Sequence, residues 1–364
     1  MDESLTSFID EVCGDSHLRV EDDLGDGFVR LRSTEAQRRQ AKQDIRCVED
    51  IVIEMLRNSY DAKAKNIFVA SSKEGSLRRL SMIDDGVGIP KQAHSLVFEP
   101  RVTSKLDTIY DDKWGVHGRG MALYSIAANA QSAQIINSNK GSGTAFLVEV
   151  DTVMLPEKTD QSTLPKFAFG EEEEVNITGP HNIIRTIAEF SFEYMDECSV
   201  YVGSPTEVLA TLYEYGVATV SKSMRISQVE EDELPLTKRL SLAADPAHFV
   251  DIAHSLGLDI SERSARRILD GEIRILNSFF QILTKDLDRV AKEIKKKKQT
   301  VKTDLRKDPR GLKIHEDDLN EFSAEVKAAY QNLAQRYYLE ENVSPEVFLT
   351  KEAINIKIPL HKLT

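Results

Sequence analysis

The stretch Ile51-Val-Ile-Glu-Met-Leu-Arg-Asn-Ser-Tyr-Asp-Ala62 decides how this chain is read. Glu54, Asn58 and Asp61 fall at i, i+4 and i+7, so on a helix their side chains share one face. Val48, Val52, Met55 and Leu56 fall on roughly the opposite face, which can pack on a core. Two glycine loops follow, Asp84-Asp-Gly-Val-Gly-Ile-Pro90 and Gly115-Val-His-Gly-Arg-Gly-Met-Ala-Leu123. A carboxylate–amide–carboxylate stripe followed by two such loops predicts a site for a nucleotide and its metal.

Working outward, one helix is expected from Glu35 to Ala62. Alternating or apolar runs at 28–32, 66–70, 77–83, 133–137 and 144–150 read as strands. Gly118 to Ala130 reads as a helix entered through glycine. This order predicts an α+β fold, a mixed sheet with helices on one face. Residues 156–180 read as a break, with three prolines and the acidic run Glu171–Glu174. A strand at Ser199-Val-Tyr-Val202 then leads through Gly203-Ser-Pro-Thr206 into a helix ending near Gly216. From Asp245 the pattern is mainly helical, with a late alternating strand at Ala353-Ile-Asn-Ile-Lys-Ile358. Three regions are expected: a nucleotide-binding domain at 1–155 with an N-terminal extension at 1–40, a small α/β segment at 156–235, and a mainly helical region at 236–364.

Composition sets limits. The 364 residues, 41% hydrophobic and 29% charged, are those of an ordinary globular protein of two or three domains. A net charge of -13 argues against a general nucleic-acid coat. Residues 291–310 nevertheless hold nine Lys or Arg against three acids, including Lys295–Lys298. Arg263, Arg266 and Arg267 follow a helix–turn pattern that fits either a helix-turn-helix or a helical hairpin with a solvated basic face. No apolar run approaches the ~18 residues that span a bilayer, and the N-terminus is acidic where a signal peptide would be basic. Cys13, Cys47 and Cys198 are widely spaced and give no metal signature, so a cytoplasmic setting is expected.

The chemistry follows from the first 150 residues or so. A helical Glu that bonds a water can act as general base in phosphoanhydride hydrolysis, and an Asn one turn later offers a neutral oxygen to Mg²⁺. Glu54 and Asn58 fit these roles; the plainer alternative is a solvated helix face. Asp84 stands at a strand end, where its carboxylate can accept from an adenine amino group. Gly86 and Gly88 would let a flat base approach the main chain, or would simply form a tight turn. Gly118-Arg-Gly120 opens a helix whose backbone N–H groups can cradle phosphates, with Arg119 adding charge. Thr103, Ser104 and Lys105 begin a polar stretch that reads as a phosphate-ordered lid.

With these residues in hand, the chain resembles the GHKL superfamily of DNA gyrase, ninety-kilodalton heat-shock chaperones, sensor histidine kinases and MutL. The resemblance covers residues 40–150. Glu54-Met-Leu-Arg-Asn-Ser-Tyr-Asp-Ala62 resembles its N box, the two loops resemble its glycine boxes, and Gly141-Ser-Gly-Thr-Ala145 its closing Gly-Thr motif. Thr103-Ser-Lys105 and Arg119-Gly-Met-Ala-Leu123 look nearest to the MutL and MORC branch. The resemblance implies the Bergerat α/β sandwich, with ATP and Mg²⁺ as ligands. It implies Glu54 as general base, Asn58 as metal ligand, Asp84 reading adenine, and Thr144 buttressing Asp84 through water. Asp61, Ala62, Gly86, Gly88 and Ile89 would belong to the base pocket, and Thr103, Ser104, Lys105, Gly118, Arg119, Gly120 and Met121 to the phosphate site. MutL carries Asn where this chain has Asp85, and Glu where it has Met121. The segment from Val175 to about Val220 would be a reduced transducer or an unrelated element; no motif marks its γ-phosphate lysine, for which Lys158, Lys166 and Lys222 are candidates by position alone. The implied function is a slow Mg²⁺-dependent ATPase that switches a partner. Partners implied are a second copy on ATP binding, a client protein and, as an open case, DNA, with no membrane. The alternatives are a protein-histidine kinase, for which His17 is the one histidine before Glu54, and a nucleotide sensor without turnover.

Overall fold

The computed structural model describes residues 20–104, 110–117, 120–158, 160–169, 175–226, 230–279, 281–282, 315–349 and 354–362. The chain forms two compact units, Met1–Asp288 and Arg289–Thr364.

The first unit opens with a hairpin of β1 (Val20–Gly25) and β2 (Phe28–Leu31). Helix α1 (Glu35–Asp44) starts in a capping box, in which Thr34 accepts from the Gln37 N–H and Gln37 accepts from the Thr34 N–H. Helix α2 (Val48–Asp61) follows. The expected single helix from Glu35 to Ala62 is therefore two. Ile45 and Cys47 are extended and buried, and Asp50 accepts from the Arg46 N–H at 2.8 Å. Because both residues at the corner are apolar, the helical period runs through the turn and conceals it.

Next come β3 (Asn66–Glu74), β4 (Leu77–Asp84), the short β5 (Val102–Thr103), and a hairpin of β6 (Tyr110–Asp112) and β7 (Gly115–His117). Helix α3 (Ala122–Asn129) begins later than the expected Gly118; Gly118 and Arg119 lie outside the described residues. Strands β8 (Ser132–Asn139) and β9 (Gly143–Asp151) complete the part read most directly from the sequence.

The region expected to be a break at 156–180 contains a hairpin, β10 (Lys166–Phe169) with β11 (Val175–Thr178). It is held because Phe167 and Ile177 reach the main core, a pattern too short to stand out among prolines. The acidic run Glu171–Glu174 lies outside the described residues. Helix α4 (Ile183–Glu193) leads to β12 (Ser199–Gly203), which pairs parallel with β3 from Ser199↔Asn66 to Gly203↔Ala70. The resulting five-stranded mixed sheet has the order β12-β3-β4-β9-β8.

Period-two alternation in these strands builds two cores. On one face, Ile67, Val69, Leu80, Met82, Phe146 and Val148 meet Ile51, Val52, Met55 and Leu56 of α2, Ile126 of α3 and Phe190 of α4. This is the sandwich with helices on one face that the resemblance implies. The opposite face is covered by later elements: α5 (Pro205–Thr219), the 3₁₀ segment Leu236–Leu242, α7 (Pro246–Ser255) and α8 (Glu262–Leu269), after the short α6 (Lys222–Ile226). There Phe68, Ala70, Ile83 and Ala145 meet Leu209, Leu212, Leu240, Phe249, Ile252 and Ile268. The boundaries expected near 155 and 235 thus fall inside the first unit, since β12 and α5 complete its sheet and core. Helices α7 and α8 form a hairpin whose Ala265 and Ile268 are buried while Arg263, Arg266 and Arg267 face solvent, Arg267 paired with Glu272 at 3.0 Å.

The second unit holds α9 (Glu316–Tyr337) and a hairpin of β13 (Glu346–Leu349) and β14 (Ile354–Lys357) around Tyr330, Ala334 and Val343. The expected late strand is one arm of this hairpin. The basic stretch 291–310, with Lys295–Lys298, lies outside the described residues. No helix among the described residues is long and apolar enough to cross a membrane.

Candidate functional site

Between α2, α3 and the first glycine loop lies a cavity of about 460 Å³. Glu54, Asn58, Asp61 and Ala62 all line it, as the i, i+4, i+7 spacing requires. Gly88 and Ile89 line it from the first loop, Thr103 and Ser104 from β5, and Gly120 and Met121 from the start of α3. Ten of the expected residues from four stretches of chain are therefore brought to one hollow. Lys105, Gly118 and Arg119 lie outside the described residues.

Two glycines are dictated by this packing. Gly88 has φ +72°, and a Cβ on it would fall 1.9 Å from the Asn139 carbonyl oxygen. Gly120 has φ +66°, its carbonyl accepts from the Arg101 N–H at 2.8 Å, and a Cβ on it would meet the Val102 carbonyl at 3.1 Å. The phosphate-side loop is thereby pressed onto the 101–103 strand.

Three expected residues, Asp84, Gly86 and Thr144, stand behind the wall and do not line the cavity. Asp84 is buried and accepts from the Ser59 hydroxyl at 2.8 Å and from the Gly86 N–H at 2.9 Å. Burial raises its pKa to about 6, opposed by the hydrogen bonds from Gly86 and Ser59 and aided by the neighbouring Asp85 charge. Thr144 lies opposite Asp84 in the β4–β9 register, and its hydroxyl is 3.2 Å from that of Ser138. Ser138 in turn accepts from the Ile89 N–H at 2.7 Å, which ties this network to the cavity wall. Ser59 and Ser138 were not singled out by sequence; the signal for Ser59 was a small polar residue on the apolar side of α2. Asp85 accepts from the N–H groups of Lys65 and Asn66 and from the Asn66 side chain, at 2.7 to 2.8 Å. An asparagine there could accept at one atom only, so the departure from MutL at this position serves the start of β3.

The Glu54 carboxylate is paired with Arg57, Oε1 to Nη1 at 2.8 Å. The Nδ2 of Asn58 is buried with no hydrogen-bond partner among the described residues, though the side chain lines the cavity. An amide with an unsatisfied buried end is a group that a ligand completes. No cluster of three or more His, Cys, Asp or Glu suited to a metal occurs among the described residues. The Asn58 Nδ2 is a donor, so what completes it is an acceptor such as a phosphate oxygen, while a divalent cation would use the Asn58 Oδ1 together with phosphate oxygens, the mode Mg²⁺ favours. Lys158, Lys166 and Lys222 do not line the cavity. Helix α1, unassigned by sequence, contributes Gln37, Gln40 and Asp44 to its wall.

Comparison with known proteins agrees with this geometry. Residues 43–154 match the family of histidine kinase-, DNA gyrase B- and HSP90-like ATPases. Among similar proteins, the DNA mismatch repair protein MutL of Thiobacillus denitrificans is 37% identical over 100 residues, 27% of this chain and 16% of that protein. MutL of Carboxydothermus hydrogenoformans is 43% identical over 82 residues, 21% of this chain and 14% of its own length. MutL of Ehrlichia chaffeensis is 32% identical over 137 residues, 37% of this chain and 20% of its own. The matched stretch thus spans no more than a fifth of these relatives. The segment that matches is the one that builds the α2 stripe, both glycine loops and the cavity between them, and through it the chain carries a GHKL ATPase domain at residues 43–154.

Proposed function

We propose that the first unit binds ATP with Mg²⁺ and hydrolyses it slowly, and that the nucleotide state switches affinity for a partner. The observation that carries this reading is the single cavity into which Glu54, Asn58, Asp61, Gly88, Thr103, Ser104, Gly120 and Met121 converge. Asp61, Ala62, Gly88 and Ile89 form the end that would take the base, with Asp84 and Thr144 behind it reaching the adenine amino group through water. Gly120 and Met121 at the start of α3, with Thr103 and Ser104, form the end that would take phosphates, where N–H groups and the helix dipole favour an anion. Asn58 would hold Mg²⁺, which when bound neutralises phosphate charge.

Glu54 would then accept a proton from a water as its oxygen bonds to the terminal phosphorus and the bridging oxygen leaves with ADP. The buried Arg57 holds one Glu54 oxygen at 2.8 Å and orients the carboxylate for that task. Partners under this reading are a second copy of the chain or a client protein; DNA enters only through the similarity to DNA mismatch repair proteins. The family match does not favour a protein-histidine kinase, and His17 lies outside the described residues.

Calorimetry with a non-hydrolysable ATP analogue and Mg²⁺ tests the binding claim. Wild-type protein should bind below millimolar concentration, and Glu54→Ala should bind equally while losing turnover by on the order of 10²–10⁴. Absence of adenine-nucleotide binding at millimolar concentration overturns the reading.

A further inference from the structure

We propose that Arg57 is a positioning residue for Glu54, with the Trp114 ring backing it, an inference that rests on the hydrolytic reading of the cavity. Arg57 sits three residues after Glu54 on α2 and is only 4% exposed, against 20% for its partner's side chain. A guanidinium removed from water in this way calls for a charged partner; Arg57 itself lines the cavity, and a carboxylate that it pairs with, Glu54, lines it too. The pair therefore orients the Glu54 carboxylate, which a base needs in order to align a water.

The back of Arg57 is also defined. Its guanidinium carbon lies 5.8 Å from the Trp114 ring centre. Trp114 is at the tip of the β6–β7 hairpin, with its ring 6.2 Å from that of Phe190 on α4. Lys113 clips the same tip to α4: its ammonium is 4.3 Å from the Trp114 ring, 3.1 Å from the Glu189 carbonyl oxygen and 3.7 Å from Glu193. An aromatic face, held from one side by α4, thus supports the cation that holds the base. The N-box resemblance assigns no role to Arg57, the last of the three positions between Glu54 and Asn58.

The full chain with Arg57→Met, Arg57→Lys and Trp114→Ala tests this. Arg57→Met should bind the ATP analogue within threefold of wild type, yet lower kcat about 30-fold, the scale expected when a base is displaced without being removed. Arg57→Lys should recover most of that loss, since an ammonium can reach one Glu54 oxygen but lacks the planar fork. Trp114→Ala should lower kcat about tenfold at unchanged analogue affinity. A wild-type kcat in Arg57→Met overturns the proposal. If Arg57→Met does not fold, wild-type kcat in both Arg57→Lys and Trp114→Ala overturns it instead. A second readout needs no turnover. Trp114 is the chain's one tryptophan, so its emission reports on the cation beside it. Glu54→Gln, which releases Arg57 from its ion pair, should shift that emission. An unchanged spectrum overturns the coupling even in protein that hydrolyses nothing, whereas a shifted spectrum without wild-type turnover sinks the ATPase reading alone.

Discussion

On one face of the central sheet, α2, α3 and α4 cover the strands but leave a cavity of about 460 Å³; on the other, α5, the 236–242 turn, α7 and α8 close over them in an apolar core. The strands are the same, and alternate residues serve each side: Val69 and Met82 one way, Phe68 and Ile83 the other. The covering helices differ. Helix α2 gives half its surface to the core and half to the polar stripe Glu54, Asn58, Asp61. Helix α5 buries Val208, Leu209, Ala210, Thr211 and Leu212 in an unbroken run. One face is thus partly committed to chemistry and the other wholly to packing. The region that sequence comparison detects, 43–154, supplies α2, α3 and four of the five strands; α4 and β12 come from beyond it, as do all the helices that cover the second face.

If this division holds, damage to the packed face should cost stability and leave binding intact. Phe249 is fully buried there, so Phe249→Ala should destabilise the first unit by about 3–5 kcal/mol in urea unfolding. The folded fraction should keep wild-type affinity for the ATP analogue. A large loss of affinity at full folding would show that the faces are coupled and break the comparison.

The cavity side should carry the pH dependence. Asp84 has a folded pKa of about 6, above its ordinary value of 3.8. The folded state therefore holds the proton more tightly. The stability this contributes is fully present below pH ~4 and is lost as pH rises through about 6. Relative to Asp84→Asn, which cannot ionise, wild-type protein should lose on the order of 2 kcal/mol of stability between pH 4 and 7. Parallel stability–pH curves for the two proteins would remove Asp84 as the source. By the same logic ATP, if it uses the Asp84 carboxylate, should release protons on binding near pH 5.5. Calorimetry in buffers of different ionisation enthalpy reads this directly.

The smallest effect sharpens the comparison from the packed side. Ser204 caps α5 by accepting from the Glu207 N–H, and Glu207 accepts from the Ser204 N–H at 2.9 Å. Ser204→Ala should cost about 1 kcal/mol and change neither affinity nor turnover. A change in turnover would mean that helix α5 is transmitting to the cavity.

What the sequence made legible follows the same line. The α2 stripe, the strands at 66–70, 77–83, 133–137 and 144–150 and the first glycine loop were readable because their signals are local: a 3.6 period, an alternation, a pair of glycines with forced geometry. The corner at Ile45–Cys47 was not, because apolar residues there imitate a continuing helix. The closing of the second face was not, because it depends on β12 finding β3 across more than a hundred residues. Within the site, the lining residues that belong to a motif were accessible to reading, while Gln37, Gln40, Asp44 and Arg57 on the same wall and the supports behind it were hidden. Ser59, Ser138 and Arg57 act through groups distant in the motif or the chain, and a spacing pattern does not reveal which groups meet.

The pairing of β12 with β3 also has a consequence for how the protein is made. Strand β3 lies next to β4 on one side, and its other edge is satisfied only by residues 199–203. During synthesis the whole nucleotide-binding segment leaves the ribosome before that partner exists. At ordinary translation rates of about 5–20 residues per second, the open edge of an apolar strand persists for several seconds. Such an edge invites pairing with another nascent chain. The interval between Glu74 and Ser199 is thus a window of vulnerability, in which a chaperone or a slow folding step would act.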